Sequence, residues 1–450
     1  MNIAIISLGC DKNRVDSEKM LGLLHGSGFS FTNDESEADI IIVNTCCFID
    51  EAKSESIDTI LEMAEYKEYG NCRYLFVAGC LSERYKDELL EELPEVDGYI
   101  GTADLSQITD LIREKLLEDE ALEDEDFAVI HESIRSGHDV KSNEPDRVIT
   151  TPGHYEFLKI AEGCNKRCTY CIIPYVRGSY RSFPMEELLA EARFLAEQGV
   201  TELILVAQET SIYGKDLYGR EMLPELLEQL CQIDELRWIR LLYCYPEDIT
   251  EELLEVMARE EKICKYLDMP VQHASDHILK MMGRRTNKAQ LLEKIALVRS
   301  MVPGIVLRTS LITGFPGETV EDHKELLEFV RTVRFDRLGV FTYSQEEGTP
   351  AAAFPDQIDE ELKISRRDDI MTLQNLISYE NLTAHIDETF DVVVDGYLPD
   401  EDVYVGRTYM DAPDVDGAFF FRSERTLMSG EHVTCIAINA SDYDLYGELV

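Results

Sequence analysis

Three of the chain's twelve cysteines fall within eight positions of one short segment, EGCNKRCTYCIIP at residues 162–174. They are Cys164, Cys168 and Cys171, in the spacing CxxxCxxC. Four thiolates close a cubane iron–sulfur cluster for electron transfer, whereas three leave one iron able to bind an exogenous ligand. A zinc site completed by a distant Cys or His is the alternative, although the spacing favours iron–sulfur. The segment therefore predicts a cluster with one open iron.

A second set of cysteines follows three apolar runs. Cys10 ends IISLGC, Cys46 ends IIVNTC and Cys80 ends LFVAGC. Each alone is more simply read as a buried structural cysteine. Parallel strands, however, place their carboxyl ends along one edge of a sheet, so the three thiols are expected to meet. We predict a second cluster with three protein ligands there, and we exclude Cys47 because it should point to the opposite side.

The other residues that could do chemistry have plainer interpretations. His273 and His277 are four residues apart, as metal ligands on a helix can be. They lack the Glu of the HExxH motif, so a role in supporting the structure or a substrate loop is favoured over zinc binding. Glu346 and Glu347 are interpreted as loop carboxylates that contact substrate. Five isolated cysteines are predicted to be core residues, as is usual for unpaired thiols: Cys72, Cys231, Cys244, Cys264 and Cys435.

The elements that position these residues fall into four segments. Residues 1–118 alternate four β-rich runs with helical patterns, which predicts a parallel α/β domain. Residues 119–150 are acidic and polar without periodicity, and are predicted to be a linker. Residues 151–382 contain six strand–helix units, which favours a partial α/β barrel. Residues 383–450 contain about five short strands, which predicts a small antiparallel, OB-like β-barrel.

Composition limits the possible partners and the compartment. The 450 residues carry 43 basic and 89 acidic side chains, a formal net charge of −46. Such a surface repels phosphate backbones and favours a basic partner. The N-terminus lacks the charged region of a signal peptide, and no apolar run approaches the roughly 18 residues of a membrane span. A cytoplasmic protein without membrane contact is expected.

The CxxxCxxC segment resembles the signature of the radical S-adenosylmethionine (SAM) enzymes, with aromatic Tyr170 before the last cysteine. The resemblance implies that the open iron chelates the amino and carboxylate groups of SAM and that Tyr170 lies near the adenine. An electron, from a flavodoxin- or ferredoxin-like donor, would then cleave SAM to methionine and a 5′-deoxyadenosyl radical. Gln208 and Glu209 in VAQET and Gly314 in TGFPGE stand where this family's ribose- and methionine-contacting segments do.

The chain as a whole resembles the methylthiotransferases. The resemblance rests on GCDKNRVDSE, NTCCFIDEAKSES, the CxxxCxxC segment and the terminal small β-domain. It implies an N-terminal methylthiotransferase domain, a radical SAM core and a C-terminal TRAM domain, with two 4Fe–4S clusters. It also implies the reaction, in which an inert C–H becomes C–S–CH₃. One SAM would methylate a sulfur carried on the second cluster, and another would supply the radical.

Two branches of this family differ in substrate. One modifies an aspartate β-carbon of protein S-twelve of the small ribosomal subunit, and the other modifies adenosine next to the tRNA anticodon. GCDKNRVDSE, YLDMPVQHAS and GVFTYSQEEGTPAA resemble the first branch, because the second typically carries Gln-Met before the residue equivalent to Asn13.

Charge favours the same branch. Residues 386–450 hold 15 acidic and 3 basic residues, a net charge of −12, which suits a basic ribosomal protein better than tRNA.

A non-catalytic iron–sulfur protein for electron transfer or cluster assembly is a further alternative. It predicts cluster formation without SAM binding.

Overall fold

The computed structural model describes residues 1–118 and 147–450, so most of the predicted linker lies outside the described residues. The chain divides into two compact units. The first comprises Met1–Thr150, Gly163–Asn165 and Cys171–Ser179, and the second comprises Thr151–Glu162, Lys166–Tyr170 and Tyr180–Val450.

The first unit is built on a five-stranded parallel sheet in the order β2-β1-β3-β4-β5. All six residues of β3 and of β4 are buried, which explains their continuous apolar runs. The edge strand β2 has only two residues, too few to leave a periodic signal in the sequence. The strands are β1 Asn2–Ser7, β2 Ser30–Phe31, β3 Ile40–Thr45, β4 Tyr74–Gly79 and β5 Gly98–Ile100.

Helices cover both faces of this sheet. Helix α1 buries several polar residues, among them Asn13, Asp16 and Ser17, on the face that an apolar stripe would usually occupy. Ile172 and Val176 join one of the two apolar cores of the unit. The helices are α1 Asp11–Gly26, α2 Asp50–Tyr69, α3 Cys80–Glu92, α4 Ile108–Glu118 and α5 Ile173–Val176.

The second unit begins with six parallel strands that form an open sheet in the order β13-β12-β11-β10-β9-β6. A separate antiparallel pair, β7 with β8, flanks the cysteine segment in the chain. The strands are β6 Tyr155–Lys159, β7 Ala161–Glu162, β8 Arg181–Ser182, β9 Glu202–Val206, β10 Trp238–Leu241, β11 Ile263–Asp268, β12 Val306–Thr313 and β13 Arg337–Thr342.

The helices of this unit separate successive strands along the chain. Two of them begin with a capping box, in which the side chains of Asn287 and Thr319 satisfy otherwise unpaired backbone N–H groups. The helices are α6 Met185–Glu197, α7 Lys215–Tyr218, α8 Leu223–Cys231, α9 Glu251–Arg259, α10 Asp276–Met281, α11 Lys288–Met301, α12 Val320–Val333 and α13 Glu360–Thr383. Short 3-10 turns occur at Glu35–Glu37, Leu105–Gln107, Pro246–Asp248 and Pro350–Ala353.

The chain ends in a closed five-stranded barrel in the order β14-β15-β16-β18-β17. Four of its pairings are antiparallel, but β16 runs parallel to β18, which the short-strand pattern did not predict. The strands are β14 Thr389–Leu398, β15 Val403–Arg407, β16 Phe419–Arg422, β17 His432–Ala440 and β18 Leu445–Leu449. The predicted fold class, α/β with a partial barrel and a small β-barrel, is confirmed.

Buried ion pairs join the small barrel to the six-stranded sheet within the second unit. Glu202, at the start of β9, accepts hydrogen bonds from Arg240 Nε at 2.8 Å and from Arg407 Nη1 at 2.7 Å. Arg337 pairs with Asp411, and Tyr266 donates to Asp416 at 2.7 Å. No helix in the described part of the chain is long and apolar enough to span a bilayer.

Candidate functional site

Cys10, Cys46 and Cys80, here called the strand-end triad, follow the carboxyl ends of the neighbouring parallel strands β1, β3 and β4 of the first sheet. Cys10 is the N-cap of α1, Cys46 follows β3 directly and Cys80 is the first residue of α3. The backbone at Gly9, the residue before Cys10, passes close to the side chain of Cys46. Gly9 has a φ of +86°, and a Cβ added there would lie only 2.9 Å from Cys46 Sγ. That the three thiols hold one cluster stays a prediction, and their placement at neighbouring strand ends is consistent with it.

Two electrostatic influences oppose each other at this triad. Burial raises the pKa of the Cys46 and Cys80 thiols above the ordinary value, and the neighbouring Cys10 raises both further. The guanidinium of Arg177 lowers both pKa values. The N-termini of α1 and α3 also favour negative charge. Because metal ligation needs thiolates, the binding of iron would displace protons that this environment otherwise retains.

Cys47 lies in an apolar core of the first unit that also contains Cys80. Its thiol donates to the backbone oxygen of Cys80 at 3.2 Å, and its side chain belongs to an apolar core with Ile60, Met63 and Leu75. This environment resembles that of a structural cysteine. The choice of Cys46 over Cys47 as the ligand stays a prediction.

The CxxxCxxC segment is divided between the two units. In the first unit Cys164 is buried, and its N–H donates to the Gly178 oxygen at 3.1 Å. Gly163 has a φ of +76°, and a Cβ there would overlap the Ser179 carbonyl, so this turn requires glycine. Cys171 also belongs to the first unit and Cys168 to the second.

Around Cys168, an aromatic ring and two cations lie close together. The hydroxyl of Tyr245 is 3.9 Å from Cys168 Sγ. Lys166 Nζ is 4.7 Å from the centroid of the Tyr245 ring, and the guanidinium carbon of Arg284 is 4.3 Å from it. Distances of this kind allow cation–π attraction, which is strengthened by burial.

Carboxylates surround Lys166 in this cluster. Its ammonium forms an ion pair with Asp248 and lies 3.6 Å from Glu209 and 3.5 Å from Glu247. Burial disfavours the charged amine, but the three carboxylates together raise the pKa of Lys166. Burial also raises the pKa of Glu209 to about 7, with a further contribution from Asp248 that Lys166 opposes.

Several buried polar side-chain atoms of the second unit have no hydrogen-bond partner among the described residues. Such atoms are rare in folded proteins because desolvating them without compensation is costly. They follow β9, β10 and α10 in the chain, and a polar ligand with donors and acceptors would satisfy them. They are Gln208 Oε1, Glu209 Oε2, Ser211 Oγ, Glu247 Oε2, and Arg284 Nε and Nη1.

The remaining predicted SAM contacts lie elsewhere in the second unit. Tyr170 packs edge-on against Phe315, with ring centroids 6.5 Å apart. Gly314 has a φ of +71°, and its N–H donates to Glu318 Oε2 at 2.6 Å. A side chain at Gly314 would overlap that of Lys363, so the turn after β12 requires glycine for both conformation and space.

The burial and contacts of the two histidines and of the five isolated cysteines are consistent with their plainer, structural interpretations. His273 is fully buried and accepts from the Ser275 N–H through Nδ1 at 2.9 Å, while His277 pairs with Asp322 at 3.2 Å. Glu346 is buried and accepts from Ser344 Oγ. The five cysteines predicted to be core residues are buried.

Within residues 1–118 and 147–450, no three His, Cys, Asp or Glu side chains form a group that could hold a single metal ion. A cubane iron–sulfur cluster does not need its ligands around one ion, because each thiolate binds a different iron of the cluster.

Comparison with known proteins identifies each segment. Residues 2–101 match the Uncharacterized protein family UPF0004, residues 158–330 the Radical SAM superfamily and residues 386–450 the TRAM domain. Among solved structures, the radical SAM methyltransferase TsrM from Kitasatospora setae, with cobalamin and a [4Fe-4S] cluster bound, superposes with a TM-score of 0.54 at 14% identity. That match covers 78% of this chain and 76% of TsrM, and shows the fold alone. The fold and the three segments define a radical SAM enzyme, which binds SAM and a 4Fe–4S cluster.

Sequence relatives specify the family. The chain is 56% identical over 450 residues to the "Ribosomal protein uS12 methylthiotransferase RimO" of Lachnoclostridium phytofermentans, covering 99% of both chains. It is 51% identical to the protein of the same name from Acetivibrio thermocellus, covering 100% of this chain and 98% of the relative. The chain belongs to the RimO family of radical SAM methylthiotransferases. The predicted enzyme class is confirmed, and the non-catalytic alternative is wrong.

Sequence reasoning did not single out several residues of these sites. Arg177, Tyr245 and Arg284 are separated from the cysteines they approach by elements or by long stretches of chain. Two of these residues had a local signal in the sequence. Arg177 lies six residues after Cys171 in IIPYVRG, and Lys166 lies inside the CxxxCxxC segment.

Proposed function

We propose that this enzyme adds a methylthio group to the β-carbon of an aspartate in ribosomal protein uS12, using two 4Fe–4S clusters and SAM. The observation that carries the proposal is the strand-end triad, a second set of three thiols in a radical SAM enzyme. Sulfur insertion requires a source of sulfur in addition to a radical, and a second cluster with an open iron provides a place to hold it. The similar proteins are named methylthiotransferases of ribosomal protein uS12, which supports this protein as the substrate.

The site residues have distinct proposed roles. Cys164, Cys168 and Cys171 hold the cluster that binds SAM, and Cys10, Cys46 and Cys80 hold the second cluster. When bound, these groups supply the radical that breaks the substrate C–H bond and the sulfur that replaces the hydrogen. The SAM contacts are proposed to be Tyr170, Gln208, Glu209 and Gly314. Gln208 Oε1 and Glu209 Oε2 are buried and have no hydrogen-bond partner among the described residues, which supports this assignment because a ligand with amino and hydroxyl groups would satisfy them.

Charge supports a basic protein as substrate and argues against tRNA. The C-terminal segment, residues 386–450, has a net charge of −12, and it forms the closed barrel. A phosphate backbone would be repelled there, whereas a basic ribosomal protein would be attracted. A flavodoxin- or ferredoxin-like protein in the cytoplasm is proposed as the electron donor.

We also propose a domain division that follows these roles. Residues 1–118 form the methylthiotransferase domain, residues 119–150 the linker, residues 151–382 the radical SAM domain and residues 383–450 the TRAM domain.

The direct test is to reconstitute the enzyme anaerobically with iron and sulfide. It is then incubated with SAM, a reductant and either uS12 or unmodified tRNA, and both substrates are analysed by mass spectrometry. A methylthio adduct on an aspartate of uS12 is the expected result. An adduct on tRNA adenosine would overturn the substrate assignment while leaving the enzyme class intact.

Two variants separate the roles of the clusters in the same assay. Cys164→Ala is expected to abolish SAM cleavage, and Cys80→Ala to retain SAM cleavage but lose methylthio product. Methylthio product from Cys80→Ala would show that the strand-end triad does not hold the sulfur.

A further inference from the structure

We propose that Asn13 positions the three segments that carry the strand-end triad, and that Arg177 holds Asn13 in place while supplying positive charge beside the triad. The inference deepens the proposed function, because it rests on the triad holding a second cluster. All the residues it uses belong to the first unit.

The carboxamide of Asn13 contacts all three cysteine-bearing segments. Its Nδ2 donates to the Leu8 oxygen at 2.8 Å and to the Thr45 oxygen at 2.9 Å. Leu8 lies two residues before Cys10, and Thr45 immediately precedes Cys46. Its Oδ1 is 3.9 Å from the thiol sulfur of Cys80. One fully buried side chain therefore joins the ends of β1 and β3 and faces the start of α3.

The orientation of this amide is determined by its partners. Both Nδ2 hydrogens point to backbone oxygens, and rotating the amide by half a turn would place Oδ1 against those same oxygens. An aspartate would have no hydrogens for these acceptors and would add a negative charge next to them. Only an amide of this length supplies two donors on one side and an acceptor on the other.

Arg177 fixes the acceptor side of this amide. Its Nη1 donates to Asp16 Oδ2 at 2.8 Å, and its Nη2 donates to Asn13 Oδ1. The side chain of Arg177 is 2% exposed and that of Asp16 is 4% exposed. Burying such a pair requires desolvating both charges, so good geometry and further hydrogen bonds are needed to compensate. A lysine could not reach both acceptors with a planar fork.

Arg177 also connects the two cysteine sites along the chain. It follows α5, which begins two residues after Cys171, and its guanidinium ends beside the strand-end triad. A positive charge near an iron–sulfur cluster favours the reduced form, since reduction adds negative charge. Arg177 is therefore expected to raise the reduction potential of a cluster bound by the triad.

The test isolates the second cluster. In a full-length background with Cys164, Cys168 and Cys171 all changed to Ala, iron bound after anaerobic reconstitution reports on the triad alone. Iron and sulfide content, the rate of iron loss to a chelator and the potential from an EPR-monitored titration are measured. Asn13→Ala is expected to lose iron roughly 10-fold faster, as is typical when a residue that orients metal ligands is removed. Asn71→Ala, at an exposed position of the same unit, is the matched control.

The potential distinguishes the charge of Arg177 from a purely structural role. Arg177→Lys and Arg177→Gln both remove the fork, but only Arg177→Gln removes the charge. The cluster in Arg177→Gln is expected to have a lower reduction potential than the cluster in Arg177→Lys, and exposed Arg73→Gln should leave the potential unchanged. Equal potentials in the two Arg177 variants would overturn the role of the charge.

The outcomes separate this inference from the proposed function. If the background itself binds no iron, the second cluster is wrong and the inference fails with it. If the background binds a cluster and Asn13→Ala retains it as firmly, the second cluster stands and the positioning role of Asn13 is wrong.

Discussion

At the scale of single residues, the surroundings of Cys168, a proposed ligand of the SAM-binding cluster, predict an effect on the reduction potential of that cluster. The Tyr245 hydroxyl lies 3.9 Å from Cys168 Sγ, and a hydrogen bond to a ligating sulfur raises the potential of an iron–sulfur cluster by stabilising the more negative, reduced form. Tyr245→Phe removes this hydroxyl and keeps the ring that contacts Lys166 and Arg284. We expect a lower reduction potential, measured by EPR-monitored titration of the holoenzyme.

The control for this prediction is Tyr213→Phe. The Tyr213 hydroxyl donates to the Phe183 oxygen instead of approaching a cysteine, so the potential should be unchanged. An unaltered potential in Tyr245→Phe would mean that its hydroxyl does not bond to the ligating sulfur.

His273 predicts a pH dependence of stability. Burial lowers the pKa of His273 to about 3, whereas the ordinary histidine pKa of 6.5 applies in the unfolded chain. Between these values the unfolded state binds a proton that the folded state excludes, so this residue's contribution falls as pH falls below 6.5, by up to about 1.4 kcal/mol per pH unit. His273→Asn keeps an acceptor for the Ser275 N–H and cannot titrate.

The measurement is the free energy of unfolding of wild type and His273→Asn by denaturant titration at several pH values between 7 and 5. Other titrating groups are common to both proteins, so the difference isolates His273. The variant should gain stability relative to wild type as pH falls. A difference that does not change with pH would contradict a neutral buried imidazole.

At the scale of elements, the junction of β4 and α3 depends on Gly79. This residue has a φ of +94°, and a Cβ there would overlap Asn44 Oδ1 and lie 2.6 Å from the Thr45 oxygen. Gly79→Ala is therefore expected to displace the turn that begins α3 with Cys80 and to reduce the iron bound by the triad. Iron content is measured in the background that lacks the CxxxCxxC thiols.

Gly26→Ala provides the comparison. It lies at the end of α1 with nothing within 4 Å of the added Cβ, so its iron content should match that of the background. Full iron occupancy in Gly79→Ala would show that the turn tolerates displacement.

At the scale of the whole molecule, the buried charges around Glu202 predict how firmly the small barrel is attached within the second unit. Glu202 accepts from Arg240 and Arg407, and its side chain is fully buried. Glu202→Gln leaves the buried guanidinium of Arg240 without a carboxylate, whereas Arg407 keeps its ion pair with Asp395. Breaking a buried pair in this way typically costs about 3–5 kcal/mol. Denaturant titration of the free energy of unfolding measures the effect.

An exposed pair is the matched control. Arg259 and Glu228 are 56% and 42% exposed, and such pairs contribute less than about 1 kcal/mol. If Glu228→Gln and Glu202→Gln destabilise the chain equally, the buried network does not hold the barrel.

The sequence was sufficient for features that a short stretch of chain encodes. The CxxxCxxC spacing lies within eight positions, and the apolar runs of β3 and β4 are continuous because both strands are buried on both faces. The placement of Cys10, Cys46 and Cys80 along one edge of the sheet could be predicted because a parallel sheet brings the carboxyl ends of its strands to the same edge. Relatives, rather than geometry, then identified the family.

Only the tertiary structure determined which distant residues meet. Asn13 joins the segments of Leu8 and Thr45, Tyr245 approaches Cys168 from 77 positions away, and Arg407 pairs with Glu202 across 205 positions. The parallel pairing of β16 with β18 was missed for the same reason. Hydrophobic periodicity reports which face of an element is buried, but not which element covers it. A buried polar side chain has no period at all, and its partner is selected by the packing of the completed fold.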